Sequence, residues 1–180
     1  QPELMGKDQF IEMFKNEAEV ASLLEHPNVI SIYEFGQDDN EWFMAMEYLD
    51  GRDMLQIGRA CRKRKKAVPF EVTARILAET CEALNHAHHL QDQAGQGLNL
   101  VHRDMSPENI FLTFEGDVKI LDFGIAKSDQ SAELTQAGQV KGKLGYVAPE
   151  AIRGKKVDHR GDIYAIGATL YLFLTGRPAV

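Results

Sequence analysis

The residues between Val101 and Gly124 constrain this chain more than any others. They read His102-Arg103-Asp104-Met105-Ser106-Pro107-Glu108-Asn109, then two apolar runs, "NIFLTF" and Asp117 to Leu121, then Asp122-Phe123-Gly124. The apolar runs read as strands. Asp104 is a carboxylate able to orient a hydroxyl and accept its proton, while Asn109 and Asp122 offer oxygen ligands to magnesium. Phosphoryl transfer needs those groups. One short triplet would carry little weight; several in a fixed order carry far more.

Composition sets wider limits. A chain of 180 residues with 44% hydrophobic content can bury one core. Its net charge of −7 argues against a nucleic-acid partner, because phosphate backbones attract basic surfaces. Cys61 and Cys81 make no disulfide framework and point to a reducing cytoplasm. No signal peptide opens the chain. Its longest apolar stretch, Ile163 to Leu174, is too short to cross a bilayer and fits a buried helix. Gln1 in place of an initiating Met suggests a fragment.

Periodicity supplies the local structure. Phe10, Met13, Phe14, Glu17, Ala21 and Leu24 share one helical stripe. Glu17 is costly in that apolar row unless it reaches water or meets a cation. Ser31 to Phe35 and Trp42 to Met46 read as a hairpin around Gln37-Asp38-Asp39-Asn40. A helix is predicted from about Phe70 to Leu90. Its terminal His86, His88 and His89 are explained by the macrodipole more simply than by a metal. Arg62 to Lys66 is a basic run that reads as a solvated loop, with a docking patch for an acidic partner as the alternative. Gln91 to Leu100 is a polar, glycine-containing connection.

With H-R-D-x-x-x-x-N, D-F-G and Ala148-Pro149-Glu150 in this order, the chain resembles the eukaryotic-like (Hanks-type) Ser/Thr protein kinases of bacteria. The resemblance runs from about Asp8 to the last residue. It implies an α+β, protein-kinase-like two-lobe fold, truncated at both ends. Residues 1–46 would form a partial N-lobe (the family's helix C and the two strands after it), 47–51 the hinge, and 52–180 a partial helical C-lobe through helix F. No G-x-G-x-x-G loop and no V-A-I-K lysine strand precede helix C, and the chain ends soon after Thr175-Gly176-Arg177-Pro178. The expectation is an internal fragment, inactive by itself, of a parent that catalyses.

The resemblance also implies roles. Asp104 would be the catalytic base. Asn109 and Asp122 would hold two Mg2+ ions with ATP. Met46 matches the gatekeeper, the backbone of Glu47 and Leu49 would face adenine, Asp53 would meet the ribose, and Phe111 would cap adenine from below. Glu17 matches the glutamate that pairs with the missing lysine. Arg103 marks a kinase whose arginine is neutralised by a loop phosphate, on Thr135 ahead of Ser131 and Ser128. Phe123 joins the regulatory positions. Glu150 and Asp162 are structural; in the family such an aspartate holds the backbone of the catalytic loop, and as a residue opening a helix its plainer role is an N-cap.

Pro107-Glu108 resembles the Ser/Thr class, so the expected partners are proteins presenting Ser or Thr, with autophosphorylation in trans. Two positions depart from the family pattern. Ser106 stands where a lysine near the γ-phosphate is usual, and Lys143 where a threonine is usual. Ammonium and hydroxyl have exchanged places. The competing reading is a pseudokinase, a scaffold or nucleotide sensor, which has no chemical need for Asp104, Asn109 and Asp122 together.

Overall fold

The computed structural model describes residues 23–39, 41–92, 94–123 and 143–179. The helical stripe up to Ala21, with Glu17, and also Gly124, Ser128, Ser131, Thr135 and Gly142 lie outside the described residues. The described elements are β1 (Ile32–Asp38), β2 (Glu41–Met46), β3 (Gly51–Asp53), α1 (Met54–Lys63), α2 (Phe70–His88), β4 (Ile110–Thr113) and β5 (Val118–Ile120), then a 3-10 turn at Leu144–Tyr146, α3 (Pro149–Ile152) and α4 (Arg160–Thr175).

β1 and β2 pair antiparallel, with Phe35 opposite Met44 and Asp38 opposite Glu41. The turn is tighter than Gln37 to Asn40. Gln37 and Asp38 stay in the strand, and Asp39 reverses the chain at a φ of +42°, which a short polar residue tolerates. Phe35 stacks on Trp42 with ring centroids 5.3 Å apart, a cross-strand aromatic contact that steadies a narrow ribbon.

The second sheet has the order β3-β4-β5, antiparallel throughout. Gly51, the last residue of the stretch expected as the hinge, lies in β3 and pairs with Thr113. A Cβ on Gly51 would lie 2.1 Å from the Leu112 carbonyl oxygen, so only glycine allows this approach. Residues 28–30 run alongside β5: Ile30 N–H donates to Ile120 O at 3.0 Å and Ile120 N–H to Asn28 O at 2.8 Å. That strip ties the hairpin to the second sheet.

Asp53 caps α1 by accepting from Gln56 N–H at 2.7 Å, and the helix ends on basic residues that favour its negative pole. Arg62 and Lys63 are therefore helical, and the whole run from Arg62 to Lys66 is exposed, the first part as a helix end and only the rest as a loop. In α2 the buried residues Thr73, Ile76, Leu77, Thr80, Ala83, Leu84 and Ala87 recur at three and four, one stripe facing the core. Burying Ile76, Leu77 and Leu84 contributes about 1.5–3 kcal/mol each. They join Met54, Met105, Ile110, Val118, Ile120, Phe123, Ala165 and Ile166 in a single cluster.

α4 buries Gly161, Asp162, Ala165, Ile166, Ala168 and Thr169 and ends at Gly176, whose φ of +71° and bond to Leu172 O form a left-handed cap. The expected buried helix is only half right. Its small residues face the core, whereas Ile163, Tyr171 and Leu174 are exposed. No described helix is long and apolar enough to cross a membrane.

Candidate active site

Asp162 organises the site. It lies in the first turn of α4, where His159 is the N-cap, so it caps no helix. Its carboxylate is 1% exposed and accepts from His102 N–H at 2.9 Å, Arg103 N–H at 2.9 Å and His88 Nε2 at 2.8 Å. Charge-assisted bonds of this kind offset the cost of a buried carboxylate. They hold Arg103 at a φ of +64°, a conformation costing an L residue about 1–2 kcal/mol, and so give the loop its sharp turn into Asp104.

His102 is fully buried and locked on every side. Its Nε2 lies 3.0 Å from Leu121 O, its Nδ1 accepts from Asp104 N–H, and the Phe123 ring packs on it at 4.7 Å between centroids. Burial pushes the imidazole below its ordinary value of 6.5, against the opposing pull of Asp162, the Leu121 carbonyl, Asp104 and Asp122. The neutral ring therefore acts as a spacer between the His102–Asn109 loop and the strand leading to Asp122.

Asn109 closes the loop. Its Nδ2 donates to the Asp104 carbonyl at 2.8 Å, which leaves its Oδ1 as a hard oxygen donor. Asp122 is exposed and sits at a φ of +43° just beyond β5. One carboxamide and one carboxylate suit Mg2+, which is held by few protein oxygens together with phosphates. Among the described residues no group of three or more His, Cys, Asp or Glu is arranged to hold a metal ion by itself. Lys143, from the residue before the 3-10 turn, puts its Nζ 3.1 Å from Asp104 Oδ2 and 3.7 Å from Glu108 Oε2. Ser106 is 2% exposed, and its Oγ has no hydrogen-bond partner among the described residues, an unmet group costing about 1–3 kcal/mol.

The remaining residues line the connector between the sheets. Met46 ends β2, half exposed. Glu47 N–H donates to Ser31 O at 2.9 Å, so only the carbonyl of its backbone is open to a ligand. Its carboxylate accepts from Ser31 N–H at 2.7 Å and from Lys119 Nζ at 2.8 and 3.0 Å. Leu49 is half-buried in the connector, and Asp53, besides capping α1, pairs with Phe111 across β3 and β4. Glu150 lies in the first turn of α3 and forms no ion pair among the described residues.

Two contacts have no counterpart in the sequence pattern. His88 reads as a helix-dipole histidine, yet it reaches Asp162; Lys119 reads as an ordinary strand residue, yet it grips Glu47. Neither has a local signal, since the partners are 74 and 72 residues apart.

A protein-family profile described as "Protein kinase domain" matches residues 3–180. The chain belongs to the protein kinase family. Tyrosine-protein kinase MasK of Myxococcus xanthus is 45% identical over 174 residues, covering 97% of this chain and 27% of that protein. Serine/threonine-protein kinase pkn3 of the same organism is 41% identical over 182 residues, covering 96% and 31%. Serine/threonine-protein kinase PrkC of Bacillus subtilis is 36% identical over 170 residues, covering 94% and 24%. The chain thus spans 24–31% of the length of these three relatives. The solved PknI kinase domain of Mycobacterium tuberculosis superposes with a TM-score of 0.70 at 33% identity, over 100% of this chain and 63% of that one. The two-lobe kinase fold expected from the motifs is the fold observed, a partial sheet lobe joined to a helical lobe.

Proposed function

We propose that this kinase chain serves a protein that transfers the γ-phosphate of ATP to Ser or Thr hydroxyls of protein substrates. The observation that carries the reading is the Asn109 Nδ2 bond to the Asp104 carbonyl, made on a loop latched by Asp162. It supports the reading because it holds Asp104, as proton acceptor, beside Asn109, which would be a magnesium ligand. Asp104 orients the acceptor hydroxyl and takes its proton. Asn109 Oδ1 and the Asp122 carboxylate would hold Mg2+, which when bound supplies positive charge to the triphosphate. Glu47 through its carbonyl, Leu49 and Phe111 would seat adenine, and Asp53 would meet the ribose through the oxygen not used in capping. The free thiols Cys61 and Cys81 suit work in a reducing cytoplasm.

Ser/Thr specificity is supported by Pro107-Glu108 and by the names of pkn3 and PrkC. The name of MasK favours a second reading, a tyrosine acceptor. Full-length protein given ATP, Mg2+ and a protein substrate should yield phosphoserine and phosphothreonine on amino-acid analysis, with autophosphorylation mapping to Thr135. Phosphotyrosine alone would select the second reading. Asp104→Asn should cut turnover about 10²–10⁴-fold with nucleotide affinity nearly unchanged, whereas Asp122→Asn should weaken Mg-ATP binding itself. Equal transfer by wild type and Asp104→Asn would leave a binding module in place of an enzyme.

A further inference from the structure

Transfer of a phosphoryl group spreads negative charge over its three equatorial oxygens, and a fixed cation beside them lowers the barrier. The loop from His102 to Asn109 is poorly supplied with such a cation. It contains no lysine, and its one arginine, Arg103, precedes Asp104, is exposed, and has its backbone N–H bound to Asp162. Both nitrogens of its histidine are engaged within the fold, on the Leu121 carbonyl and the Asp104 N–H. At the position two residues beyond Asp104 stands a serine, buried and with no hydrogen-bond partner among the described residues.

The cation comes from elsewhere in the chain. Lys143 approaches from the segment before α3, and its Nζ lies 3.1 Å from Asp104 Oδ2 and 3.7 Å from Glu108 Oε2. Its side chain is 39% exposed, so the ammonium meets the carboxylate while staying open to solvent. The 3-10 turn fixes its origin: Tyr146 N–H donates to Lys143 O at 3.0 Å and Val147 N–H to Leu144 O at 3.1 Å.

We propose that Lys143 is the catalytic cation of this site, binding the transferring phosphoryl group from the side opposite the loop that carries Asp104. The inference rests on the phosphotransfer reading above. In the step, the substrate hydroxyl oxygen bonds to the γ-phosphorus of the nucleoside triphosphate as the bond from that phosphorus to the bridging oxygen breaks. The nucleoside diphosphate leaves with the electron pair, and the hydroxyl proton passes to Asp104. Lys143 keeps its protons and contributes charge only. Ser106, buried on the loop, brings a hydroxyl and no charge, so the two residues work as a pair: a small hydroxyl on the loop, an ammonium from the segment before α3.

The test uses the full-length protein with Mg-ATP and a protein substrate. Lys143→Met should lower kcat by about 10²-fold or more. Affinity for a fluorescent ATP analogue should change by less than about threefold, and Tm should move by no more than about 2 °C. Adding Ser106→Lys should return at least about tenfold of the lost rate, since the ammonium then reaches the same phosphate from the loop. Because a lysine at 106 must enter a buried position, Lys143→Cys is measured in parallel, before and after aminoethylation of its thiol, which rebuilds an ammonium at 143 and should restore turnover. Near-wild-type kcat in Lys143→Met overturns the inference and leaves phosphotransfer standing. A deficient Lys143→Met that neither rescue improves also overturns it, assigning Lys143 to structure. Absence of transfer by the wild type removes the phosphotransfer reading itself and the inference with it.

Discussion

Asp162→Ala should unlatch the catalytic loop before it unfolds the domain. The carboxylate is 1% exposed and accepts from His102 N–H, Arg103 N–H and His88 Nε2 at 2.8–2.9 Å. Each bond to a charged acceptor contributes about 1.5–3 kcal/mol, so the two backbone bonds together are worth about 3–6 kcal/mol. Against that stands the strain at Arg103, whose φ of +64° is released once the latch is gone, returning about 1–2 kcal/mol. The net loss of about 1–5 kcal/mol is a sizeable share of the ~5–15 kcal/mol that holds a domain together. Urea denaturation should show the midpoint falling accordingly. Hydrogen exchange should lose protection first at the amides of His102 and Arg103, because these are the donors left without an acceptor. Turnover should fall about 10²-fold as Asp104 drifts from its position. Asp162→Asn keeps one acceptor oxygen but turns an NH2 toward the other donors, and should lie between wild type and alanine. An Asp162→Ala protein with an unchanged midpoint and fully protected amides at 102 and 103 would refute this account of the latch.

Lys119→Met removes both bonds to Glu47 while the carboxylate stays 16% exposed, and should cost about 1–2 kcal/mol in urea unfolding. Adding Glu47→Leu should recover part of it, because no half-buried charge is then left unpaired; a neutral Lys119→Met would show the pair to be idle. Acid should weaken the fold through His102. Its folded value lies below the ordinary 6.5, so the unfolded chain binds the extra proton, and the stability present above that value is lost as pH falls below it toward the depressed one. His26, also lowered by its burial and by His86, adds in the same direction. Tm should fall between about pH 7.5 and about pH 5.5, and a flat or rising Tm over that window would contradict the burial argument.

Features decided within a few residues could be read from the sequence alone. The stripe of α2 follows from apolar spacing and the strands after the His102–Asn109 loop from short apolar runs, while the roles proposed for Asp104, Asn109 and Asp122 rest on residue types in order. Helix and strand periods are local, so they survive without knowledge of the fold. Local reasoning failed where a residue's role depends on what another element brings to it. Asp162 reads as a helix opener by position, but α2 and the catalytic loop converge on it with three donors. His88 reads as a dipole histidine until the packing of α2 against α4 aims it at that carboxylate. Ile163, Tyr171 and Leu174 read as core until α4 turns its small residues inward. Lys143 reads as a departure from a motif until the chain, 39 residues after Asp104, folds back to set one charge against the other. Partners that far apart in sequence meet only through tertiary packing, and a buried charge must then be matched where it lands.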